Sequence, residues 1–109
     1  MTGKPVILRA RAAQDIDAAF AHYVETAGAQ TALSLVDALE AALRHIGQHP
    51  AGASQRHGYE LGLPGLRAGR ARRFPYFVFF VERTDSIDVW RVLHGARDIP
   101  ARLHEPDPD

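Results

Sequence analysis

The chain has 109 residues, 46% hydrophobic and 24% charged, with thirteen cationic and thirteen acidic side chains that cancel at neutral pH. One domain with a true core is expected at this length. The lack of cysteine excludes disulfides and thiolate metal sites, the lack of any apolar run near ~20 residues excludes a membrane helix, and zero net charge argues against strong non-specific attachment to nucleic acid.

No charged segment followed by an apolar core opens the chain, so the expected location is the cytoplasm. The first element is PVILR, Pro5 to Arg9, a β-branched run that reads as a strand. Ala13, Ile16, Phe20, Tyr23 and Ala27 then recur at helical spacing. Asp15 and Asp17 fall near the first turn of this helix, where carboxylates complement its dipole. Gly28 is a natural stop. A second helix is predicted from Ala29 to Gln48 on the stripe Ala32, Leu35, Val36, Leu39, Leu43 and Ile46, ended by Pro50 and Gly52. Two amphipathic helices with almost no linker predict an αα-hairpin.

The period then changes. HGYELGLPGL, His57 to Leu66, is punctuated by glycine and proline and holds a short strand at most. RAGRARR, Arg67 to Arg73, is an arginine-dense turn that either stays solvated or docks acidic groups. FPYFVFFVER, Phe74 to Arg83, is apolar at both parities and predicts a central strand with Pro75 at its entrance. Thr84 to Ser86 turns the chain, and Ser86 to His94 returns as the last strand. The predicted order β-α-α-β-β-β makes an α+β domain over residues 1–104, a helical hairpin packed in two layers on a mainly antiparallel sheet. Residues 105–109, EPDPD, are expected to form a disordered acidic tail. The expected core is Ile7, Ile16, Phe20, Leu35, Leu39, Leu43, Phe77, Phe79, Val81 and Val89.

Charge is unevenly placed. Residues 12–43 carry five acids and no lysine or arginine, whereas Arg56 to Arg73 holds five arginines and one acid, Glu60. Arginine suits planar, bidentate recognition, though a GC-rich genome also enriches it. His45 and His49 have a metal-clamping i, i+4 spacing, but no third ligand is in sequence reach. The aromatic strand reads as core, not as a base-stacking platform. Trp90, flanked by Asp88 and Arg91, is either a binding hot spot or a cap on the core.

AAQDIDAAFAHYVETAG opening the hairpin, then GLPGLRAGRARRFPYFVFFVE, then IDVWRVLHGARD, together resemble the ParE branch of the RelE/ParE toxin superfamily from about Val6 to Leu103. The aromatic strand followed by RVLHGARD is the most specific part. The resemblance implies a RelE/ParE-like fold and the toxin of a two-gene toxin–antitoxin module. It further implies a ParD-like antitoxin with a dimeric DNA-binding part and a flexible C-terminal segment that wraps the toxin. Toxin and antitoxin would form a hetero-oligomer, and the toxin alone would bind no specific DNA sequence. The implied target is DNA gyrase, held in its cleaved-DNA state. RelE-like relatives on the same fold are instead ribosome-dependent mRNA endonucleases, so fold alone does not choose.

A nuclease would need a base, an acid and cations on the scissile phosphate. Arg73, Arg91 and His94 offer part of such a set. In an unbroken strand, however, Arg91 and His94 point to opposite faces, which only a bulge would reverse. His94 reads as a histidine bonded to backbone at a sheet corner, beside a turn at Gly95. Arg97 and Asp98 read as an ion pair closing the fold, or as rim contacts to a partner. The expectation is therefore a non-enzymatic toxin with no catalytic residue, metal or cofactor. Arg70, Arg72, Arg73, Trp90, Arg91, His94, Arg97 and Asp98 are its candidates for target or antitoxin binding.

Overall fold

On the aromatic strand Tyr76, Val78 and Phe80 are buried on one side, Phe79 and Val81 on the other, and the rest of the fold covers both. The computed structural model describes residues 3–96 and 98–105. Its strands are β1 (Val6–Leu8), β2 (Leu66–Arg70), β3 (Tyr76–Glu82) and β4 (Ile87–His94), and its helices α1 (Ala10–Ala27), α2 (Ala29–Gln48), α3 (Arg56–Leu61) and α4 (Ile99–Leu103). They form one sheet in the order β1-β4-β3-β2. β1 runs parallel to β4, and the other neighbours are antiparallel. Among the described residues no helix is long and apolar enough to cross a membrane.

The α1–α2 hairpin supplies one layer. Ala12, Ala19, Leu35, Leu39 and Ile46 pack on Val78, Phe80, Ile87, Val89 and Val92. The opposite face gathers Leu66, Ala68, Phe79, Val81 and Leu93 under Ile99 and Leu103 of α4, with Leu61 and Leu63 alongside. Gly28 caps both helices at φ 94° and ψ 162°, a conformation essentially confined to glycine, which is why no linker is needed.

Several expectations need correction. Ile7 is 56% exposed, because β1 is a three-residue edge strand and turns Val6 toward the helices instead. α1 begins at Ala10, so its first turn holds no acid, and Asp15 has a different task. The Gly/Pro-punctuated segment forms the short helix α3, closed by Gly62, not a strand. The strand moves into the arginine segment as β2, where Leu66 and Ala68 supply a buried face on alternate positions. Gly95 has no positive φ; its need is space, since a Cβ there would lie 3.1 Å from the Phe77 ring.

β4 is not regular. Phe79 pairs with Arg91 but Phe80 pairs with Val89, so Trp90 is an extra residue and the strand bulges. Side chains beyond a bulge change sides. Trp90 and Leu93 therefore pack on the α4 face while Val92 joins the hairpin face.

Candidate functional site

Arg91 and His94 both follow the bulge and keep opposite sides, Arg91 pairing with Phe79 and His94 with Tyr76 of the other core layer. Both nevertheless line one cleft of about 410 Å³ between α1 and the stretch of β4 that β1 does not pair with, which Arg11, His22, Tyr76 and Arg102 also line. Arg91 is 6% exposed and fully engaged. Its Nε and Nη2 donate to the two Asp15 carboxylate oxygens at 2.7 and 2.8 Å. Its Nη1 donates to the Arg102 carbonyl at 2.7 Å and to Glu105 Oε1 at 2.9 Å. Asp15 also accepts the Val92 N–H at 2.9 Å, so one carboxylate ties α1 to the strand just past the bulge. The Asp15 hydrogen bonds, outweighing the cost of burial, push the Arg91 guanidinium further above its ordinary value. Arg91 in turn holds the Glu105 carboxyl below the usual carboxylate range.

His94 Nδ1 accepts the Ala96 N–H at 2.9 Å, and its ring meets Tyr76 edge-on at 5.3 Å. Asp98 caps α4 by accepting the Ala101 N–H at 3.4 Å. Arg97, the other member of the expected pair, lies outside the described residues. Glu105, placed in the expected tail, is the partner of Arg91 just described; residues 106–109 lie outside the described residues.

Trp90 is held from two sides. Its Nε1 donates to Asp88 Oδ2 at 3.2 Å, and the Arg9 guanidinium lies 4.7 Å from its ring centroid. Asp88 also accepts from Arg9 and Arg83. Burial works to raise the Asp88 carboxyl, but the hydrogen bonds from Arg9 and Arg83, the Arg9 charge and the Trp90 N–H together hold it below its ordinary value.

Arg70, Arg72 and Arg73 lie far from this cleft, at the β2–β3 turn. With Phe74 they face Ser34, Asp37 and Ala38 of α2 across an open hollow of about 810 Å³. Arg70 lies over the Phe77 ring at 5.7 Å, and Arg73 has φ 69°. Arg67, by contrast, is tied to the Ala51 and Ala53 carbonyls. The eight candidates thus do not form one site: Arg91 and His94 share a cleft, the three turn arginines share another, and Trp90 packs on the far face.

Residues 6–99 match the family described as "ParE toxin of type II toxin-antitoxin system, parDE". The chain belongs to this family. A solved structure described as "Chromosomal ParDE TA system from P. aeruginosa" is 26% identical, with a TM-score of 0.71, covering 84% of this chain and 95% of that one. No curated protein sequence matches. In this ParE-family fold the aromatic strand and the RVLH of RVLHGARD lie side by side, paired as β3 and the end of β4.

Sequence reasoning missed Asp15, Asp88 and Glu105, the three carboxylates that organise this toxin's cations. A signal for Asp15 did exist. It shares a helix face with Ala12 and Ala19, the residues of α1 that are buried, and a carboxylate on a buried stripe needs a cationic partner. His57 was also passed over; its ring packs edge-on against Phe79 at 5.1 Å and its Nδ1 has no hydrogen-bond partner among the described residues. His45 and His49 have ring centroids 5.0 Å apart, and no group of three metal-ligating side chains occurs among the described residues.

Proposed function

We propose that this ParE-family toxin inhibits DNA gyrase by binding it, stabilising the cleaved-DNA state without breaking bonds itself, and that a ParD-like antitoxin neutralises it in a cytoplasmic hetero-oligomer. The observation that carries the non-enzymatic part is the engagement of Arg91. Its guanidinium makes four hydrogen bonds within the protein, two of them to a carboxylate that also neutralises its charge. Such a cation is not available to hold a scissile phosphate. Arg73 does not converge on it either, since it lines the α2 hollow and Arg91 the α1 cleft, and His94, which shares that cleft, already accepts the Ala96 N–H at Nδ1. Membership of the ParE family supports the target reading.

The test adds purified toxin to a gyrase supercoiling and cleavage reaction and, in parallel, to translating ribosomes with labelled mRNA. Broken DNA covalently linked to gyrase is expected, with mRNA intact. Codon-register mRNA cuts that vanish on Arg91→Ala or His94→Ala would replace the proposal with an endonuclease.

A further inference from the structure

The end of the sheet where β2 turns into β3 carries three cations that nothing described so far uses. Arg70, Arg72 and Arg73 are exposed and make no ion pair among the described residues. Elsewhere the protein engages its arginines. Arg9, Arg56, Arg83, Arg91 and Arg102 each hold a carboxylate, and Arg67 holds two backbone carbonyls. Among the described residues Arg44, on α2, is the other arginine without such a partner. The three turn arginines reach both sides of the sheet. Arg70 lies over the Phe77 ring, on the face that α4 covers, whereas Arg72 and Arg73 line the hollow beside α2. Arg73 is also held at φ 69°, in the left-handed region that favours glycine, and no side-chain bond among the described residues offsets the strain. Strain of this kind concentrates where a ligand is held.

Little apolar surface accompanies these charges. Ile46 and Ala71 are 3% and 2% exposed, and Phe74 is half-buried with its ring edge-on to Tyr23. A protein interface has an apolar core depleted of charge, so this surface suits a protein partner poorly. A phosphate backbone is bound by cations alone, and guanidinium forks match its oxygens. We propose that the β2–β3 turn grips the phosphate backbone of duplex DNA, with Arg70, Arg72 and Arg73 each placed to hold a phosphate. The proposal rests on the gyrase reading above and names a second ligand in that complex, the DNA that gyrase holds cleaved. The Asp37 carboxylate across the hollow repels phosphates, so the backbone meets the turn from the end of the sheet, where arginines of both faces reach it. Zero net charge keeps the contact weak and unspecific for the toxin alone. Gyrase, by holding toxin and DNA together, raises their effective concentration and makes a weak contact sufficient.

The test measures binding of the purified full-length toxin to a fluorescent duplex of mixed sequence, at several salt concentrations and without gyrase. Wild type is compared with Arg72→Gln/Arg73→Gln, with Arg73→Gly, and with Arg44→Gln as the control for lost charge. Arg73→Gly removes one cation while relieving the left-handed backbone, so it keeps the fold even if the double variant does not. Wild-type affinity should fall with salt on a log–log slope of about −0.9 per phosphate held. The double variant should lose about two such contacts from the slope and bind about 10-fold or more weakly at low salt; Arg73→Gly should lose about one, and Arg44→Gln none. With gyrase present, the double variant should trap less cleaved DNA than wild type. Absence of salt-dependent duplex binding by wild type, or turn variants that match it, would overturn the proposal. An equal loss in Arg44→Gln would do the same by making net charge the cause. So would turn variants that keep duplex affinity but lose gyrase or antitoxin, since the turn would then be a protein contact, or a double variant that traps as much DNA as wild type. The duplex assay contains no gyrase. Absence of trapped DNA with the wild-type toxin would therefore remove the target reading and leave the phosphate contact to be decided by the duplex slopes.

Discussion

Arg91 is the side chain on which the two ends of the chain converge. It holds Asp15 from α1 and Glu105 from the C-terminal segment, and it is nearly excluded from water. Removing one partner of such a pair leaves an uncompensated buried charge, so Asp15→Ala should cost about 3–5 kcal/mol in urea denaturation. Arg91→Lys should fail to restore wild-type stability, because an ammonium cannot reproduce the bidentate fork. A loss below about 1 kcal/mol for Asp15→Ala would show that water replaces the pair. From the sequence Arg91 was legible as important but not as structural, since Asp15 lies 76 positions away and strand alternation carries no information about a helix. Asp98, read from the sequence as half of an ion pair or a rim contact, has another task that a local pattern could have signalled. An aspartate followed within two residues by proline is a helix-start pattern, and the structure uses it to cap α4.

At the scale of elements, the α1–α2 hairpin turns on one residue. A Cβ on Gly28 would meet no atom within 4 Å, so Gly28→Ala tests backbone conformation alone. It should lower stability by about 1–3 kcal/mol; a neutral result would mean that the turn relaxes to another conformation. α4 is the second element to test. Ending the chain after Asp98 removes Ile99 and Leu103 from the cluster holding Phe79 and Leu93, and takes Glu105 and the Arg102 carbonyl from Arg91. The shortened protein should melt lower and bind an apolar dye, and an unchanged melting temperature would contradict α4 as part of the core. The bounds of α2 were readable to the residue because its long stripe and its Gly28 and Pro50 punctuation agree. α3 and β2 were not, because a six-residue helix has no room for a stripe, and β2 builds its buried face from one leucine and one alanine between arginines.

Across the whole molecule, Asp88 and Glu105 fasten the chain's ends to β4, and both carboxyls titrate below their ordinary values of 3.8 and 4.5. The unfolded chain therefore binds more protons in the acid range, so stability rises with pH there. The contribution of these two groups is complete above their ordinary values and is lost as pH falls through their lower folded ones. Melting temperature should decline below about pH 4.5, and Asp88→Asn should lower stability at pH 7 while softening that decline. An acid limb of unchanged steepness in the variant would show that other carboxylates control it. Local chemistry alone determined the hairpin, the central aromatic strand, the two-layer α+β plan and the family resemblance, because helical periodicity, apolar parity and glycine punctuation act over a few neighbouring residues. The bulge at Trp90, the pairing of Arg91 with Asp15, and the isolation of the Arg70–Arg73 turn beside α2 were decided only in three dimensions. Each depends on which distant carboxylate or apolar face comes within reach, and a strand register that shifts by one residue changes that outcome without changing the local pattern.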